Sequence, residues 1–143
     1  MRDISNRVKA VTCQDAKVFT ADANGTTVDR IDFESVMFLV NSGIEGDTLS
    51  GSVKFDFILE ESDDDATFSA VTSSTSVTEG SVDSSGIFLT LDANGETPQT
   101  SQIGYIGGKR YVRVKIDATG SHSNGTPISV QAVLGNPIDS TDA

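Results

Sequence analysis

From residue 53 to residue 60 apolar and polar side chains alternate: Val53, Phe55, Phe57 and Leu59 share one face, and Lys54, Asp56 and Glu60 fall mainly on the other. Successive side chains of a strand point to opposite faces, so this period predicts a strand with one buried face. The stretch "KRYVRVKIDA" repeats the pattern, with Val112, Val114 and Ile116 inward and Tyr111, Arg113 and Lys115 outward. Residues 36–40 and, apart from Thr90, residues 87–91 are apolar without alternation, which predicts central strands covered on both faces. "PISVQAVLGNP" adds a strand with Ile128, Val130, Ala132 and Leu134 inward and Pro137 at its end. Weaker strands are expected at "AKVFT", "TFSAV" and "TSQIGYI".

Turn chemistry separates these runs. "DANGTT", "GIEGD", "DANGET", the Gly107–Gly108 pair and "SHSNGTP" supply Asn and Gly, which accept positive φ at little cost. No stretch has the spacing and caps of a helix. The expected fold is all-β: a single-domain antiparallel sandwich, Ig-like or jelly-roll-like, of about seven to nine strands. The expected boundaries are an extended N-terminal arm over 1–15, the sandwich over 16–137 and a polar C-terminal tail over 138–143. The two "DANG" turns hint faintly at an internal repeat.

Composition supports that picture. A chain of 143 residues is one domain by length, and its polar fraction is rich in Ser, Thr, Gly and Asp rather than in helix formers. One cysteine, Cys13, excludes an internal disulfide framework and suits cytosolic assembly. No apolar run is long enough to span a membrane or to act as a secretory leader, so a soluble, unprocessed chain is expected. The formal charge of -11 is unevenly spread: residues 1–17 sum to +2, residues 18–108 to -14 and residues 109–143 to +1. A strongly acidic body repels a phosphate backbone, which argues against nucleic acid as a partner.

Candidate chemistry is sparse. His122 has no second histidine or cysteine at ligand spacing, and its polar loop predicts an exposed side chain. Cys13 carries no local nucleophile signature. The run holding Glu60, Glu61, Asp63, Asp64 and Asp65 offers calcium-type oxygen ligands but lacks the spacing of a calcium loop. No metal, cofactor or catalytic constellation is therefore expected, and the chain is read as a non-enzyme. Four cations fall within the seven residues 109–115, namely Lys109, Arg110, Arg113 and Lys115, with Tyr111 as a companion.

The order "FESVMFLVNSG", "GSVKFDFILEESDDDATFSAV", "IGYIGGKRYVRVKIDATG" and "VQAVLGNP" resembles small virion proteins of tailed bacteriophages and gene-transfer agents, the head decoration or cement proteins. The resemblance spans residues 17–137, and "ESDDDATFSAV" and "GYIGGKRYVRVKI" are its most distinctive pieces. It implies a β-rich domain that binds the outer surface of an icosahedral head, commonly as a trimer, with no catalytic role. The implied partners are the major capsid protein and other copies of the chain, without nucleic acid or membrane. The implied location is the virion, after assembly in the host cytoplasm.

Two contact surfaces follow as expectations. The polar, basic arm would order on the shell through Arg2, Ile4, Arg7, Val8, Lys9 and Val11. The strand carrying Lys109, Arg110, Tyr111, Arg113 and Lys115 would meet either the shell or the acidic counterpart Glu60, Glu61, Asp63, Asp64 and Asp65 of a neighbouring copy. The competing expectation is that these cations face acids on adjacent strands of the same chain. Rival functions are a tail or head-completion component, which shares the virion setting, and a sugar-binding adhesin-like module, for which Tyr105 and Tyr111 are the only plausible stacking rings.

Overall fold

Phe55, Phe57 and Leu59 are fully buried, and so are Val112, Val114 and Ile116, so the two alternating stretches turn their apolar faces into one core. The computed structural model describes residues 3–138. Its strands in chain order are β1 (Val8–Phe19), β2 (Ala23–Asn24), β3 (Val28–Asp29), β4 (Phe33–Ser42), β5 (Lys54–Ser62), β6 (Ser69–Ala70), β7 (Val77–Thr78), β8 (Ile87–Leu91), β9 (Gln99–Tyr105), β10 (Tyr111–Thr119) and β11 (Thr126–Pro137). One sheet runs β1-β11-β4-β9-β7 and the other β2-β10-β5-β6, with β3 also on β10 and β8 also on β5; every pairing is antiparallel. The fold is the expected sandwich. Four of its eleven strands are only two residues long, too short to show a period, which is why the count exceeds the expected range.

Three local expectations change. Residues 8–15 are not an arm: they belong to β1, which pairs with β11 from Val8 onward and places Cys13 and Gln14 in the interior. Bulges between Thr12 and Gln14 and between Gln14 and Lys17 break the alternation that would have revealed this strand. β8 is not central, since it pairs only with β5 and residues 87–90 stay half-buried. β4 is central, between β11 and β9, but Met37 and Leu39 on its outer face are half-exposed. Of the expected tail, only residue 138 lies within the described residues.

His122 is the largest correction. Its side chain is buried, its ring lies 4.1 Å from that of Phe55, and Nε2 stands 3.0 Å from the Thr119 carbonyl. The loop folds inward because the Asp47 carboxylate accepts hydrogen bonds from the amides of Asn124 (3.0 Å) and Gly125 (2.6 Å), and Gly125 there takes the left-handed conformation (φ 75°). Asp56 is buried as well, on the outer face of the central strand β5, where Lys54 (2.7 Å) and the Thr90 hydroxyl (2.5 Å) satisfy its carboxylate.

Candidate functional site: one end of the sandwich

The antiparallel order sets the place of the site. β1, β4 and β10 begin, and β5, β9 and β11 finish, at the same end of the sandwich. That end therefore collects residues 3–9, the turn 29–34, the acidic turn after Ser62, the link 106–110 and the close of β11. The three clusters singled out in the sequence are here neighbours.

Three of the four cations between residues 109 and 115 pair within the chain. Arg113 stands directly across from Glu60 in the β10–β5 register, with Nε 2.6 Å from Oε2 and the guanidinium 3.8 Å above the Phe68 ring. Both partners are largely shielded, at 18% and 15% side-chain exposure. Arg110 donates through Nε (2.9 Å) and Nη2 (2.8 Å) to the two carboxylate oxygens of Asp29, a forked contact that lowers the pKa of Asp29 and raises that of Arg110. Lys109 pairs with Asp63, which raises the lysine's pKa. Lys115 makes no ion pair among the described residues. Arg113, Arg110 and Lys109 thus meet acids of their own copy, as the competing expectation had it.

Tyr105 and Arg30 hold this end in shape. Tyr105 is fully buried; its hydroxyl donates to Glu61 Oε2 (2.5 Å) and accepts from the Lys109 amide (3.1 Å). Burial, and then the hydrogen bond to Glu61, push the phenol above the ordinary tyrosine range. Arg30 lies 4.8 Å over the Tyr105 ring and donates to the carbonyls of Gly107 (2.6 Å), Lys109 (2.9 Å) and Glu34 (2.9 Å). It ties the glycine turn to the start of β4. Neither residue stood out in the sequence as structural, because Arg30 sits alone in a turn and its partners are backbone atoms.

The acidic run is a turn, not a ligand cage. Asp64 accepts from the amides of Thr67 (2.8 Å) and Ala66 (3.0 Å) and from the Ser62 hydroxyl (2.8 Å), bonds that lower its pKa to about 2. Asp65 takes the left-handed conformation (φ 58°), which Asp tolerates better than most residues. Among the described residues no group of three or more His, Cys, Asp and Glu side chains is placed to hold a metal ion.

Around this bonded frame several apolar side chains stand exposed among charged ones. Ile4, Val8, Ile31, Ile106 and Ile138 are exposed, Ile4 at 70% and Ile138 at 68%. Val11 packs against the core, and Arg2 lies outside the described residues. Two open cavities flank Val8 and Pro137, one of about 490 Å³ reaching Lys9, Asp32, Phe33 and Ile138 and one of about 460 Å³ reaching Ile4 and Glu34; Arg7 lines both. Ile31, Ile106 and Ile138 escaped notice in the sequence because each is a single apolar residue between turn residues.

No protein-family model and no curated protein matches the chain. Among solved structures the fold is similar to that of the SPBc2 prophage-derived protein YomS, with a TM-score of 0.52 and 13% identity over 90% of this chain and 93% of that one. A structure of infectious bursal disease virus, Gx strain, aligns at a TM-score of 0.24 and 16% identity over 90% of this chain and 39% of the other, too low to carry an argument. The likeness to YomS is one of fold.

Proposed function

We propose that the chain is a bacteriophage virion structural protein: a decoration or cement protein that binds the outer surface of the head through the major capsid protein, as a homotrimer, with no catalytic role. The observation that carries this reading is the end of the sandwich, where a rigid, ion-paired frame presents exposed isoleucines around open cavities. Such a surface suits adhesion, since apolar area rimmed by charge marks protein contacts on soluble domains. The fold shared with a prophage-derived protein along nearly the whole of both chains supports the phage setting. So does the sequence resemblance described above. The deciding experiment is quantitative mass spectrometry of purified particles against the major shell protein. Abundance comparable to the shell protein is expected; a few copies per particle would place the chain in a tail or connector instead, and absence would favour the adhesin-like alternative.

A further inference from the structure

We propose that the end of the sandwich built by the starts of β1 and β4 and the close of β11 is the surface on which two copies of this chain meet. The inference rests on the reading of the chain as an assembly protein and names the contact that such assembly uses. Arg7 and Lys9 on the β1 side, and Asp32 and Glu34 on the β4 side, make no ion pair among the described residues. Arg7, Lys9 and Asp32 line one cavity together, and Arg7 and Glu34 line the other, so each cavity carries both signs of charge.

Charge decides in favour of a second copy. A chain of net charge -11 repels its own kind over most of its surface, and of the two cations between residues 18 and 108, Lys54 is held by Asp56 and Arg30 by backbone carbonyls. At this end the chain offers charges of both signs, unpaired among the described residues, beside exposed isoleucine. A uniformly acidic or basic partner would meet like charge from half of the patch, whereas a second copy turned to face the first sets Arg7 and Lys9 against Asp32 and Glu34. The exposed Ile4 of that copy then has an apolar hollow between Val8 and Pro137 to enter.

The test is light scattering coupled to size exclusion on the full chain, with Arg7→Glu, Glu34→Lys and Ile4→Asp, each checked for unchanged circular dichroism. Wild type is expected at a multiple of 15.0 kDa, and each single variant is expected to shift to the monomer mass. Mixing Arg7→Glu with Glu34→Lys should restore a mixed two-copy complex, since each then supplies the charge the other lacks, whereas a ring of three would keep one mismatched contact. A wild type that stays monomeric up to about 1 mM, where only the weakest specific affinities lie, would overturn the inference, as would an oligomer that all three variants retain. A monomer that still binds heads would refute this contact and the homotrimer while leaving the head-binding role standing, and an oligomer absent from particles would do the reverse.

Discussion

Arg113 and Glu60 face each other directly across β10 and β5, 2.6 Å apart, with the guanidinium lying on the Phe68 ring. A cation packed so tightly against its own chain is part of the fold. Reversing it to Glu sets two carboxylates in opposed register and removes the cation from the aromatic face. The expected cost lies between the ~1 kcal/mol of an exposed pair and the 3–5 kcal/mol of breaking a buried one. Urea denaturation of Arg113→Glu checks this; a variant as stable as wild type but altered in oligomeric state would show that the pair belongs to an interface instead.

Acid should weaken the turn after Ser62. Asp64 has its pKa lowered to about 2 by bonds from Thr67, Ala66 and Ser62, and the pKa of Asp29 is lowered by Arg110. A carboxylate whose folded pKa is depressed contributes stability above its unfolded pKa and loses that contribution as pH falls through the folded one. The urea midpoint is therefore expected to decline between about pH 4 and pH 2. Asp64→Asn keeps an oxygen acceptor for the turn amides but cannot titrate, so its decline over that window should be shallower than that of wild type; an unchanged slope would remove Asp64 from the account.

The sandwich was legible in the sequence because β10 and β11 are regular strands that bury every second side chain and β5 turns Phe55, Phe57 and Leu59 inward, and period-two alternation reports that directly. β1 was hidden by its bulges, which put Cys13 and Gln14 inside together and left Lys9 and Lys17 on an edge that looked like a solvated arm. His122 was misread because a polar loop normally faces water, and only the Asp47 clasp on the amides of Asn124 and Gly125 turns this one inward. The candidate site shows a sharper limit. Its charged clusters were visible as local runs, but their meeting at one end depends on strand order, and local runs do not encode strand order.

Tyr105 offers a probe of that end. Its hydroxyl sits between Glu61 and the Lys109 amide in a buried position, so Tyr105→Phe leaves an acceptor and a donor without their partner. Stranding such groups costs about 1–3 kcal/mol. Because the phenol's pKa is raised, its stabilising contribution holds below the ordinary tyrosine range and is lost as pH climbs toward the folded value. Ultraviolet titration should show Tyr105 ionising late, close to alkaline unfolding. A Tyr105→Phe protein with an unchanged denaturation midpoint would mean that water replaces the hydroxyl without cost.

Truncation separates an arm from a strand. Residues 3–7 precede β1 and are exposed, so deleting residues 1–7 should leave the thermal midpoint within a few degrees of wild type. Deleting residues 1–15 takes away the first two thirds of β1: its pairing with β11 from Val8 to Gln14 and the burial of Cys13 and Gln14 in the interior. Small domains are stable by only about 5–15 kcal/mol, and a loss of several of these lowers the midpoint by more than about 10 °C. Differential scanning calorimetry of the two truncations provides the comparison. If the longer deletion melts like the shorter one, β1 is dispensable to the sandwich and residues 8–15 are free to act as an arm; if it melts early, any loss of shell binding on that deletion reports unfolding, and only the shorter deletion tests the contact.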